Sequence, residues 1–153
     1  MKKNKIIIFY DYFLPAYKAG GPIQSIANLL NQFQENITYK IVCSNKDVDG
    51  TILNVECNKW IKYNSISDVF FCDGKTSILL IKKELKSFHT DIFFINGIYS
   101  WKYNLIPLFF YKAKRKILSV RGMLHPGALS QKTFKKKLYI NLLKHEIHTF
   151  YEF

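Results

Sequence analysis

The chain has 153 residues and a mass of 18.0 kDa, room for one domain and too little for two of ordinary size. With 48% hydrophobic and 22% charged residues it lies near the globular average, which excludes an intrinsically disordered chain, and its length removes the need for a disulfide or metal staple. The formal net charge of +12 exceeds what solubility requires and points to an anionic partner: nucleic acid, a phosphorylated ligand or a membrane surface.

The elements follow in chain order. Ile6–Tyr10 (IIIFY) is apolar at consecutive positions, as in a strand buried on both faces of a parallel sheet. Lys2, Lys3 and Lys5 resemble the basic region of a signal peptide, but Asp11 ends the apolar run after five residues, too early for a signal core. From Pro22 to Phe33, Ile23, Ile26, Ala27, Leu30 and Phe33 share one helical face, with Gln24, Asn28, Asn31 and Gln32 opposite. Tyr39–Cys43 (YKIVC) reads as the next strand. Residues 45–68 are polar and turn-rich, and predict an irregular excursion with an edge strand around Leu53–Cys57. Val69–Cys72 (VFFC) is a third apolar strand. From Ser77 to Phe88, a stripe of Ile78, Ile81, Leu85 and Phe88 opposes Lys82, Lys83 and Lys86. Asp91–Ile95 (DIFFI) is a strand, Trp101–Lys112 an apolar helical segment kinked or interrupted by Pro107, and Lys116–Val120 (KILSV) the fifth strand. Leu129 to about His145 predicts a last helix, with Phe134, Leu138, Leu142 and Leu143 inward and Lys132, Lys135 and Lys136 away from that stripe. Strands alternating with helices predict an α/β fold, a doubly wound parallel sheet in which 6–10, 39–43, 69–72, 92–95 and 117–120 are adjacent and parallel, with helices on both faces.

Several chemistries are excluded. There is no GxGxxG after the first strand, no GxxxxGK[ST], no GxSxG, and His145-Glu146-Ile147-His148 has its second histidine one position short of HExxH. Cys43, Cys57 and Cys72, without a CxxC, read as three free thiols in a reducing cytoplasm, and no metal site is expected. No stretch reaches the roughly 18 apolar residues of a membrane span, so the protein is expected to be cytoplasmic and not integral. The charge is uneven: residues 1–101 hold 12 basic and 9 acidic residues, and 102–153 hold 11 and 2.

Two segments stand out. Asp11–Pro22 (DYFLPAYKAGGP) leaves the first strand at its carboxyl end, where ligands bind in such sheets. Gly20 and Gly21 allow close backbone approach, and the helix N-terminus behind Pro22 is a phosphate seat; the plainer reading is a Gly-Gly-Pro turn. The second segment, Ser119–Lys132, leaves the fifth strand at the same edge. Its Arg121 is placed for a phosphate or carboxylate, or for a structural ion pair, and its His125 for proton transfer or plain solvation.

Together, AGGPIQSIANLL after the first strand, INGIYSW after the fourth and SVRGMLHPGALSQKTFKKKLY after the fifth resemble the N-terminal domain of glycosyltransferase family 4, over nearly the whole chain. The resemblance implies the GT-B architecture, in which two Rossmann-like domains face across a cleft. It implies transfer of a sugar from a nucleotide-sugar, with retention and without a metal or cofactor, to a glycan or lipid-linked acceptor in surface polysaccharide synthesis. It places Gly20, Gly21, Asn96, Gly97, Arg121 and Gly122 at the substrate-binding edge. Arg121 stands where many members carry histidine, so that histidine's role does not transfer and no residue is assigned as catalytic. The family's donor-gripping pair of glutamates, eight apart in a second domain, has no counterpart: Glu146 and Glu152 are six apart and in the wrong domain. The expectation is a single acceptor-side domain over 1–153, a truncated product, split subunit or excised domain, inactive alone and partnered by a separately encoded donor domain. Lys132, Lys135 and Lys136, with Lys112, Lys114, Arg115 and Lys116, are the candidates for facing an anionic membrane at the cytoplasmic leaflet; a solvated basic face is the bland alternative. The alternative function is a non-catalytic basic α/β module for nucleic acid or a partner protein. Nucleic acid is disfavoured because the aromatics sit in apolar runs and no known RNA- or DNA-binding pattern is present.

Overall fold

The computed structural model describes residues 3–32, 36–86, 88–121 and 123. Six strands form one sheet: β1 (Asn4–Phe9), β2 (Ile37–Ser44), β3 (Trp60–Asn64), β4 (Ser67–Cys72), β5 (Ile92–Asn96) and β6 (Arg115–Ser119). Their order is β3-β4-β2-β1-β5-β6. Every pairing is parallel except β3 with β4. The fold is α/β, with a mostly parallel mixed sheet of Rossmann-like character.

The five parallel strands arise where apolar residues run consecutively, because both faces of the sheet are covered. Successive residues of β1, and Tyr10 just after it, feed two separate cores: Ile7 and Phe9 enter one, Ile8 and Tyr10 the other. The second core is closed by α1 (Gly21–Gln32), whose Ile23, Ile26, Ala27 and Leu30 are buried. Burying a side chain of Leu or Ile size stabilises by about 1.5–3 kcal/mol, so this stripe fixes the helix on the sheet. The first core is closed by α2 (Ile78–Lys86) through Ile81 and Leu85 and by α3 (Ile106–Phe110) through Ile106 and Leu108. There Phe9 meets Phe93 edge-on at 5.4 Å between ring centres and Tyr111 at 5.9 Å. The three cysteines are free thiols.

The structure departs from the sequence reading at two places. The edge strand is not at Leu53–Cys57. There Leu53, Val55 and Cys57 alternate and pack on the α1-side core without pairing into the sheet, and the neighbouring Ile52 forms a single bridge to Lys46. The edge is β3, which turns back through Ser65-Ile66 onto β4. Asn64 Oδ1 accepts from the Ile66 N–H at 3.0 Å and from the Ser67 hydroxyl at 2.6 Å, an Asx-type turn that sets the hairpin. Trp60 then packs on Phe70 at 5.2 Å, with the Lys40 ammonium 3.9 Å from its ring centre. The second departure is at Pro107. The segment begins as a π-helix, Trp101–Leu105, and continues as α3 with Pro107 in its first turn. Proline is tolerated there because the first-turn N–H groups have few intrahelical partners. The helix expected over 129–145, with Lys132, Lys135 and Lys136, lies outside the described residues.

In chain order the parallel strands run outward from β1 to β2 and β4, then resume on the other side of β1 with β5 and β6. The order therefore reverses between β1 and β5, and the crevice at their carboxyl ends is where open α/β sheets take ligands.

Candidate functional site at the sheet switch point

Three segments meet at that crevice. The first is the loop from β1 to α1. Phe13 is fully buried and anchors it; the chain then makes a short helical turn at Tyr17–Ala19 and enters α1 through Gly20. Gly20 has φ of +77°, a conformation that glycine adopts without strain, and its carbonyl accepts the Ile23 N–H at 3.2 Å. The loop is braced from the excursion after β2. Asp47 is buried and accepts from the Lys18 N–H at 3.1 Å, and Lys18 Nζ meets Asp49 at 2.6 Å. A Cβ built on Gly21 would meet no atom within 4 Å, so its neighbours in the fold leave open space at this helix start.

The second segment follows β5. Asn96 is buried at the strand's end. Gly97 has φ of +94°, and the chain turns there into the π-helix. Asn104 holds this corner: its Nδ2 donates to the Asn96 carbonyl at 3.0 Å, and its Oδ1 accepts from the Ser100 N–H at 2.8 Å. The third segment follows β6. Arg121 has φ of +48°, an unusual backbone conformation for a side chain of its size. Its guanidinium is held at two nitrogens. Nε donates to Asn96 Oδ1 at 2.8 Å and Nη1 to the Ser25 hydroxyl at 3.2 Å, while Ser25 Oγ donates to the Gly21 carbonyl at 3.1 Å.

Gly21, Ser25, Arg121 and Asn96 thus form one hydrogen-bonded chain across the carboxyl edge, and Gly20 and Gly97 adjoin it. Gly122 lies outside the described residues, as does His125. Sequence reading does not single out Ser25, Asp47, Ser100 or Asn104. Ser25 is one helical turn after Gly21, but its link to Arg121 spans 96 positions and leaves no local signal. Asp11, within the first segment, lies beside the same crevice. Burial pushes its carboxyl above the ordinary value, and a hydrogen bond with Ser100 opposes that shift. Burial also pushes the Tyr10 hydroxyl up; Asp11 and Tyr12 add to this and Arg121 opposes it.

The chemistry offered is a fixed guanidinium, a helix N-terminus with open space in front, and an amide donor. Asn96 Nδ2 is buried and meets no acceptor among the described residues, a donor that a ligand oxygen or bridging water would satisfy. No group of three His, Cys, Asp or Glu side chains among the described residues could hold a metal. These features define an α/β domain whose carboxyl edge carries a guanidinium, a helix N-terminus and an amide donor unpaired among the described residues. No protein-family model matches the chain, and neither a curated protein nor a solved structure matches it.

Proposed function

We propose that this domain is the acceptor-side half of a retaining, family 4-like GT-B glycosyltransferase acting in surface polysaccharide synthesis, docked peripherally on the cytoplasmic face of a membrane. The observation that carries the reading is the bond chain Gly21–Ser25–Arg121–Asn96, which joins at one sheet edge the three segments whose sequence resembles that family. In this reading Arg121 and the α1 N-terminus face the anionic group of a substrate, and Asn96 bonds a sugar hydroxyl. Gly21 leaves room for the substrate to lie against the backbone. Transfer also requires a nucleotide-sugar held opposite this edge, because rate acceleration comes from orienting both reactants. Residues 1–153 supply one wall of that cleft, and a donor-holding domain supplies the other.

The test is carbohydrate binding by purified 1–153, followed by NMR against a panel of acceptor oligosaccharides and sugar phosphates. At least one should bind, and Arg121→Ala should weaken it by about tenfold, the effect of one charge-assisted hydrogen bond. No nucleotide-sugar should turn over on 1–153 alone. Absence of carbohydrate binding, or binding indifferent to Arg121→Ala, ends the glycosyltransferase reading. Turnover by 1–153 itself, lost in Arg121→Ala, ends the half-cleft part of it.

A further inference from the structure

The opposite end of the sheet, where β1, β5 and β6 begin, holds a cavity of about 830 Å³. It forms because α2 stops at Lys86 and α3 lasts only to Phe110, so the two helices leave the lower part of the first core partly roofed. Its wall is unlike that of an ordinary packing gap. Lys3, Lys5, Lys82, Lys86, Lys112 and Lys114 line it, drawn from the β1 segment, α2 and the α3–β6 connection. Among the described lining residues the only carboxylate is Asp91, which is already engaged by Lys114 Nζ at 2.5 Å and by the Lys5 N–H at 3.1 Å.

Six like charges around one recess repel one another, and they raise the local concentration of anions. Most of the remaining lining is apolar, Leu85, Phe88, Phe93, Phe110 and Tyr111, with His89 and Thr90 beside it. Phe93 and Tyr111 are buried core residues, and Phe110 is 64% exposed on the wall. Phe88 is flanked by the ammonium groups of Lys5 and Lys40, at 5.3 and 5.0 Å from its ring centre. A bare inorganic ion would use the lysines and leave the aromatic surface wet. A neutral apolar molecule would leave the charge uncompensated. We propose that this cavity binds an amphiphilic anion, with a phosphate or carboxylate head on the lysines and a hydrocarbon body against Phe88, Phe93 and Phe110. The site is separate from the carboxyl-edge crevice and stands whether or not the glycosyltransferase reading does.

Calorimetric titration of 1–153 with monomeric octyl phosphate tests it, with inorganic phosphate and octyl glucoside supplying head and body alone. Octyl phosphate should bind about tenfold or more tightly than either, because only it satisfies both parts of the wall. The exposed double change Lys82→Glu with Lys86→Glu should weaken it by about tenfold. The same charge change at Lys62→Glu with Lys75→Glu, both exposed and away from the cavity, should leave it unaltered. Phe110→Ser should weaken octyl phosphate severalfold and leave inorganic phosphate unchanged. Sedimentation with phosphatidic acid vesicles then separates two sources of the ligand. Release of the chain by octyl phosphate identifies bilayer lipid, and sedimentation untouched by it identifies a free amphiphile. Octyl phosphate binding no better than inorganic phosphate, or equal weakening by the two double changes, overturns the proposal.

Discussion

Asp11 sits where the chain leaves β1, partly buried beside Tyr10 and Tyr12, whose rings meet edge-on at 5.7 Å. Burial disfavours its ionised form, so its folded pKa lies above the ordinary 3.8. The consequence for stability has a definite sign. Below the unfolded value both states hold the proton and the group contributes nothing to the pH dependence. As pH rises through the window from 3.8 to the raised folded value, the unfolded chain releases its proton first, and stability falls. Above that window the loss is complete and constant. Asp11→Asn removes it, while the amide oxygen can still accept the Ser100 hydrogen bond. The variant should melt above wild type at about pH 7, and the gain should vanish near pH 3, where wild-type Asp11 is protonated in both states. Thermal melts at the two pH values check this, and an equal difference at both would show that burial of the charge is not the cause.

The corner after β5 shows how an element depends on one backbone conformation. Gly97 combines φ of +94° with close neighbours: an added Cβ would lie 3.4 Å from Asn104 Oδ1 and 3.4 Å from Met123 Cε. Gly97→Ala should therefore cost about 1–3 kcal/mol, from the strained φ, with the methyl in contact with the asparagine that holds the corner. Gly74→Ala, where the Cβ meets open space and φ is ordinary, should change stability by less than about 0.5 kcal/mol. Urea denaturation of the pair measures the contrast, and similar losses in both would remove the corner's special role. The same region marks the limit of what sequence reveals. IIIFY, YKIVC, VFFC and DIFFI are legible as strands because burial on both faces demands consecutive apolar residues. WIKYN is not, because it becomes a strand only through Trp60 on Phe70 and a side-chain turn at Asn64. The π-helix is illegible for a similar reason: the wide turn is set by Ser100 and Asn104, two polar residues in an apolar run. Arg121 is legible because it closely follows a strand, and Gly20 and Gly21 because they open the helix after one. Ser25 and Asp47 gain their roles only when distant segments meet.

At the scale of the whole molecule, charge is distributed by the fold and not by position in the chain. Counted along the sequence, residues 1–101 carry little net charge and 102–153 most of it. In space, Lys3, Lys5, Lys82 and Lys86 from the first stretch stand beside Lys112 and Lys114 from the second, at the amino end of the strands. Arg115 opens β6 at that same end, whereas Arg121 and the α1 N-terminus occupy the carboxyl end. The molecule therefore has a basic base and the Arg121 rim at opposite ends of one sheet. If a membrane met the base, the Arg121 rim would face away from it. Each Lys or Arg at an anionic surface contributes about 1 kcal/mol, so five or six together give on the order of 5 kcal/mol. That supports reversible association. No helix among the described residues is long and apolar enough to cross a bilayer, so nothing in them adds insertion to this electrostatic term. The chain should sediment with phosphatidylserine-containing vesicles at low salt and only weakly with phosphatidylcholine alone. At about 1 M salt, where the Debye length shrinks to about 3 Å, the bound fraction should return to solution. Equal binding to neutral vesicles, or none to anionic vesicles at low salt, would refute electrostatic docking and leave the basic base as the wall of a ligand cavity alone.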